Sequence, residues 1–203
     1  MLKDIRDLQL YMCRSRNEIA AIRERRLLCS PGCSEAECAR LDEVLPGLPG
    51  SYVRCIRAFD LRSFEIGYFL MRPRFGKGGI VEKLILTNTS ESNPMLPFLR
   101  SYGLYEVAAW EADPVCVATD KSPFADGAVL WVTLPEPRSQ ISPLASNFEL
   151  FMIIAGNLDL VRDRNSRAID NSAAHVEFRE ALRGLNVSGN EAIAWGKIAE
   201  VVL

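Results

Sequence analysis

Apolar residues near the start of the chain recur at helical spacing. Leu2, Ile5, Leu8 and Met12 fall three and four residues apart, and Ile19, Ile22 and Leu27 resume the stripe after a polar stretch. That period predicts a helix over 2–28, broken by Ser30-Pro31-Gly32. Ser34 followed three residues later by Glu37 has the form of a capping box ahead of the stripe Cys38, Leu41 and Leu45, and so predicts a second helix. Pro46-Gly47-Leu48-Pro49-Gly50 stops it. A third, short helix is expected from Ser51, with Tyr52, Val53, Ile56 and Phe59 turned inward.

From Phe64 the period becomes strand-like. Glu65 to Leu70 is aromatic and branched, and Ile80 to Leu86 reads as a strand or a short helix. Pro94 and Pro97 are expected to bound a loop. Leu104 to Trp110 and Val115 to Ala118 read as strands joined by the turn Ala112-Asp113-Pro114, and Ala128 to Leu134 follows the turn signal Asp126-Gly127. Pro135 and Pro137 end that run. Helices return at Asn147, where Phe148, Phe151, Met152, Ile154 and Ala155 give a wide apolar face. Two more are expected over about 174–182 and 191–202. Strands between runs of helices predict an α+β fold, with an antiparallel or mixed sheet flanked by N- and C-terminal helices.

At 203 residues, 48% of them hydrophobic, the chain suits one domain over 1–203 with a sizeable core. A net charge of −2 argues against direct nucleic-acid binding. The densest basic run, Arg14, Arg16, Arg23, Arg25 and Arg26, reads as a solvated helix face. No signal peptide or membrane-length apolar run is visible, so a cytoplasmic location without membrane contact is expected, with the six cysteines reduced.

Several groupings invite chemistry and fit it poorly. Cys29, Cys33 and Cys38 lack paired C-x2-C spacing and a nearby fourth ligand, so no metal is expected. Arg74-Phe75-Gly76-Lys77-Gly78-Gly79 meets neither phosphate-loop pattern and reads as a turn, and no cofactor is expected. A thiol nucleophile needs a base, and His175 is the single histidine. A small hydrolase or transferase pairing it with Cys55 or Cys116 is the enzymatic alternative, weighed against an expectation of no catalysis. Glu106, Glu111, Asp113, Asp120 and Asp126 concentrate in the middle of the chain. Asp113 and Asp126 also suit turns. Gathered on one edge or face, the five would recognise a basic protein partner.

Two stretches carry a resemblance. Ser34 to Tyr52 combines the capped helix with a Leu-Pro-x-x-Tyr element at Leu48, Pro49 and Tyr52, and Leu144 to Phe151 has the form Leu-Ala-x-[Ser/Asn]-Phe-x-x-Phe. Between them, Pro114 to Ala118 and Gly127 to Val132 stand as paired strands. In this order and spacing the chain resembles the SUKH superfamily over 34–160, with 1–30 a helical extension and 170–203 C-terminal helices. Phe59-Asp60-Leu61 replaces the Asn-Gly common after the Tyr helix. The resemblance implies an α+β domain without cofactor that serves in bacteria as an immunity protein, binding and blocking a cognate toxin such as a nuclease or deaminase. Other members regulate cell-wall assembly in eukaryotes, so a regulatory scaffold for an endogenous protein is the alternative. On either reading Glu106, Glu111, Asp113, Asp120 and Asp126 are the expected partner-facing residues.

Overall fold

The computed structural model describes residues 1–13, 27–73, 78–133, 140–166 and 170–203. Asp4 caps the first helix, α1 (Ile5–Met12), by accepting the Asp7 N–H at 2.9 Å. The helix predicted over 2–28 is thus shorter at its start. Leu27 and Leu28 are not helical, and Cys29 forms an isolated antiparallel bridge with Asp60. Residues 14–26, including the basic run Arg14 to Arg26, lie outside the described residues, as do Arg74 to Lys77 and the proline pair Pro135 and Pro137.

The capping box forms as expected. Ser34 caps α2 (Glu35–Val44), Glu37 reaches back to the Ser34 N–H at 2.8 Å, and Ser34 Oγ accepts the Glu37 N–H at 3.3 Å. Next comes α3 (Gly50–Ala58), which buries Tyr52, Cys55 and Ile56. A tight hairpin of two two-residue strands, β1 (Glu65–Ile66) and β2 (Phe69–Leu70), turns through Gly67 at φ +59°.

Two helices stand before the next strand. The ambiguous run at Ile80 is helical, α4 (Ile80–Thr89), and the expected loop between Pro94 and Pro97 gives way to α5 (Leu96–Ser101). Pro97 sits in the first turn of α5, where its missing N–H costs nothing because that donor has no helical partner anyway. The remaining strands are β3 (Leu104–Trp110), β4 (Asp113–Ala118), β5 (Val129–Thr133) and β6 (Gln140–Ala145). All six pair antiparallel in sequence order, β1-β2-β3-β4-β5-β6. β6 is not among the strands the sequence predicts. Its Pro143 is tolerated because β6 is an edge, where a missing donor breaks no second ladder.

The chain ends in α6 (Phe148–Asn165), α7 (Ser172–Gly184) and α8 (Gly189–Val202). Every residue of α6 from Phe151 to Val161 is buried, so it is an all-round core helix rather than an amphipathic one. Its two polar core residues are paired. Asn157 accepts the Leu2 N–H at 2.8 Å and donates to the Leu2 carbonyl at 2.9 Å. Asp159 accepts from the Tyr11 hydroxyl at 2.9 Å and from Arg162 at 2.6 Å. These contacts fasten the first dozen residues to α6. One apolar cluster draws on residues from Leu2 to Val202, and a smaller one, around Leu99, Leu104, Cys116, Leu130 and Val132, lies under α5. The fold is α+β, with helices flanking an antiparallel sheet.

Candidate functional site

The C-terminal helices leave a trough between them. On α7, Ala174, Phe178, Ala181 and Leu182 are buried, while on α8 the buried set is Ala194, Trp195, Ile198, Ala199 and Val202. The Trp195 indole N–H donates to the Leu144 carbonyl at 2.7 Å, which fixes α8 against β6. The sides facing each other above these core stripes enclose about 530 Å³, floored by Phe178, Leu182 and Gly196 and flanked by His175, Arg179 and Arg183 from α7 and Ile193 and Glu200 from α8. A second groove of about 660 Å³ lies where α3 meets α1 and α6, with Arg54, Cys55, Asn147 and Glu149 on its walls.

The acidic residues picked from sequence do not form one patch. Glu106 on β3 is only 7% exposed, with its backbone N–H held by Asn88 on α4 at 2.9 Å, so its placement differs from that of an exposed rim residue. Glu111 and Asp113 stand at the β3–β4 turn, where Glu111 takes φ +53° and Asp113 accepts the Trp131 indole N–H at 3.1 Å. Asp120 and Asp126 are exposed in the connection from β4 to β5. β4 runs six residues from Asp113 to Ala118, so the two pairs sit about 17 Å apart at opposite ends of the strand. The Asp120 and Asp126 end adjoins the turn before α3. A Cβ added at Gly47 would lie 3.5 Å from Asp120 Oδ1, and one at Gly127 would lie 2.9 Å from Ser51 Oγ. Tyr105 donates to the Pro46 carbonyl at 3.0 Å beside them.

The thiols and the histidine are dispersed. Cys116 is fully buried in the cluster under α5. Burial, with Glu106 opposite it in register, pushes its thiol well above the usual range. Cys55 lines the α3 groove, and burial together with Glu149 raises it to about 12. His175 lines the trough between α7 and α8, whose walls carry no cysteine. Cys33 is raised to about 12 by burial and by the charge of Glu37, and Cys38 is raised by burial. A thiolate nucleophile needs the opposite shift. Among the described residues no group of three or more His, Cys, Asp or Glu side chains is placed to hold a metal ion. Nor is any helix among them long and apolar enough to cross a membrane. In the glycine-rich stretch, Gly79 precedes α4 and the Glu82 carboxylate crowds it, 2.8 Å from where a Cβ would stand. Glu82 also pairs with Arg40 at 3.2 Å. An anion at this helix start would meet a carboxylate.

Sequence reasoning missed the trough. Its signal is present in the four-residue steps of His175, Arg179 and Arg183, with a glycine, Gly196, in the middle of the expected terminal helix. Comparison with known proteins finds no matching family model, no matching curated protein and no matching solved structure.

Proposed function

We propose that the protein is a non-catalytic protein-binding domain of SUKH type, an immunity protein that neutralises a cognate bacterial toxin in the cytoplasm. The observation that carries this reading is a contact between the two stretches on which the resemblance rests. Tyr52 of the Leu-Pro-x-x-Tyr element packs edge-on against Phe148 of the second stretch, ring centroids 4.8 Å apart at 89°. The two positions are far apart in sequence, yet they share one core contact worth about 1 kcal/mol beyond simple burial. The absence of catalysis rests on the dispersal of Cys55, Cys116 and His175 and on the upward shift of both thiols. No metal or cofactor enters the reading.

Of the acidic residues, Asp120 and Asp126 serve this role best. Both are exposed, and neither has a hydrogen bond or ion pair among the described residues. They would steer a basic partner, such as the substrate channel of a nuclease, toward the end of the sheet near Pro46. The test is co-expression with toxin domains encoded beside the gene for this chain. Protection of the host and a stable purified complex are expected. In the Asp120→Lys/Asp126→Lys double variant the association rate should fall roughly tenfold at low salt, with a smaller change in dissociation. A chain that binds none of these toxins and protects against none overturns the proposal.

A further inference from the structure

The trough between α7 and α8 lies apart from Asp120 and Asp126, and nothing in the toxin reading uses it. We propose that it is a docking groove for an amphipathic helix of another protein, one that carries acidic residues beside its apolar stripe. The floor, made by Phe178, Leu182 and Ala199, is apolar and packed into the core, and the trough stands open above it. A Cβ built on Gly196 would meet nothing within 4 Å, and Ile193 on the lip is 60% exposed. The open space over Gly196 and the exposed lip suit a helix laid along them, its side chains entering at helical spacing.

Charge selects the kind of helix. His175, Arg179 and Arg183 are successive four-residue steps on one face of α7, so they line about 12 Å of wall, roughly two helical turns. Arg179 and Arg183 have no hydrogen bond or ion pair among the described residues, whereas Arg162 and Arg164 on the adjoining α6 each hold a carboxylate, Asp159 and Glu177. Among the described residues one acid, Glu200, stands opposite. Carboxylates repeated along a helix match this row, while the single head group of a fatty acid would meet only part of it and leave its tail wet in an open channel. A second copy fits less well. The exposed apolar face of α8, Ile193 and Val201, carries Lys197 between them and would bring a cation to the arginines.

The probe is a labelled, roughly four-turn helical peptide with leucines on one stripe and glutamates beside it, followed by fluorescence anisotropy with the full chain. Saturable binding is expected, weakened roughly tenfold when lysines replace the glutamates and by a similar factor in Arg179→Glu/Arg183→Glu. Gly196→Leu fills the floor and abolishes binding. Its unfolding midpoint should not fall, since the added side chain enters open space and leucine favours the helix over glycine. Four results would each overturn the proposal: no saturable binding; binding indifferent to Gly196→Leu or to the charge reversals; sedimentation showing that the chain itself dimerises through the trough and is made monomeric by Gly196→Leu; or a fatty acid that binds there while the peptide does not.

Discussion

At the scale of single residues, the attachment of the N-terminal segment depends on a few atoms of α6. Asn157 makes three hydrogen bonds, two of them to the backbone of Leu2 and one to Ile153. Asn157→Ala leaves the Leu2 N–H and carbonyl buried without partners, and a loss of about 1–3 kcal/mol is expected in denaturant unfolding. Hydrogen exchange should quicken in α1 before it does in the sheet. Gly156 is the steric side of the same joint. A Cβ there would stand 2.6 Å from Leu8 Cδ1 and 3.0 Å from Leu2 Cδ1, so Gly156→Ala is expected to cost about 1–3 kcal/mol by overpacking, despite the better helix propensity of alanine. The thiols give a prediction of their own. Cys13 and Cys29 are exposed, so an alkylating reagent at pH 8 should label them first. Cys33 and Cys55, raised to about 12, should follow slowly, and buried Cys116 only on unfolding. Peptide mass spectrometry reads that order, and early labelling of Cys55 would contradict it.

At the scale of elements, the capping box at Ser34 and Glu37 is expected to be worth about 1 kcal/mol, measured as the stability loss in Ser34→Ala. It was also the most legible feature of the sequence, because a cap is written in residues three apart and needs no tertiary context. The strands β3, β4 and β5 were legible for a similar reason, as branched and aromatic runs between turn signals. Prolines conceal two elements. Pro97, expected with Pro94 to bound a loop, sits in the first turn of α5, and Pro143 hides β6 because only an edge strand has room for it. The run at Ile80 is ambiguous in sequence because α4 leaves apolar Leu86 exposed and Ile85 half-buried while it buries polar Thr87 and Asn88, so its apolar residues do not trace its buried face. The acidic residues could be found in the sequence, but their separation along β4 could not, since it follows from strand length and register.

At the scale of the whole molecule, ionisable groups set the pH range of stability. Cys33 and Cys55 keep their protons in the fold to about pH 12, against 9.0 for an ordinary thiol. The stability they contribute is whole below pH 9 and is lost as pH rises toward 12, because the unfolded chain releases protons that the fold retains. Glu37 and Asp60 are lowered, by the Ser34 backbone N–H and by Arg62 respectively, so their contribution is present above the usual carboxylate range and fades as acid protonates them. Both are exposed enough for solvent to keep this acid limb shallow. Thermal unfolding across pH should therefore fall more steeply on the alkaline side. The aromatic core has an optical consequence. The three tryptophans of the chain, Trp110, Trp131 and Trp195, are all buried, and Phe69 touches the first and the last, with centroids 6.3 and 5.6 Å away. Trp110 and Trp131 lie 4.9 Å apart and nearly perpendicular. Indoles so close share excitation, so the native emission should be blue and depolarised, with a near-ultraviolet dichroism of its own. That light reports on the joint of sheet, α6 and α8, and a chain whose first dozen residues had come loose would still glow as native.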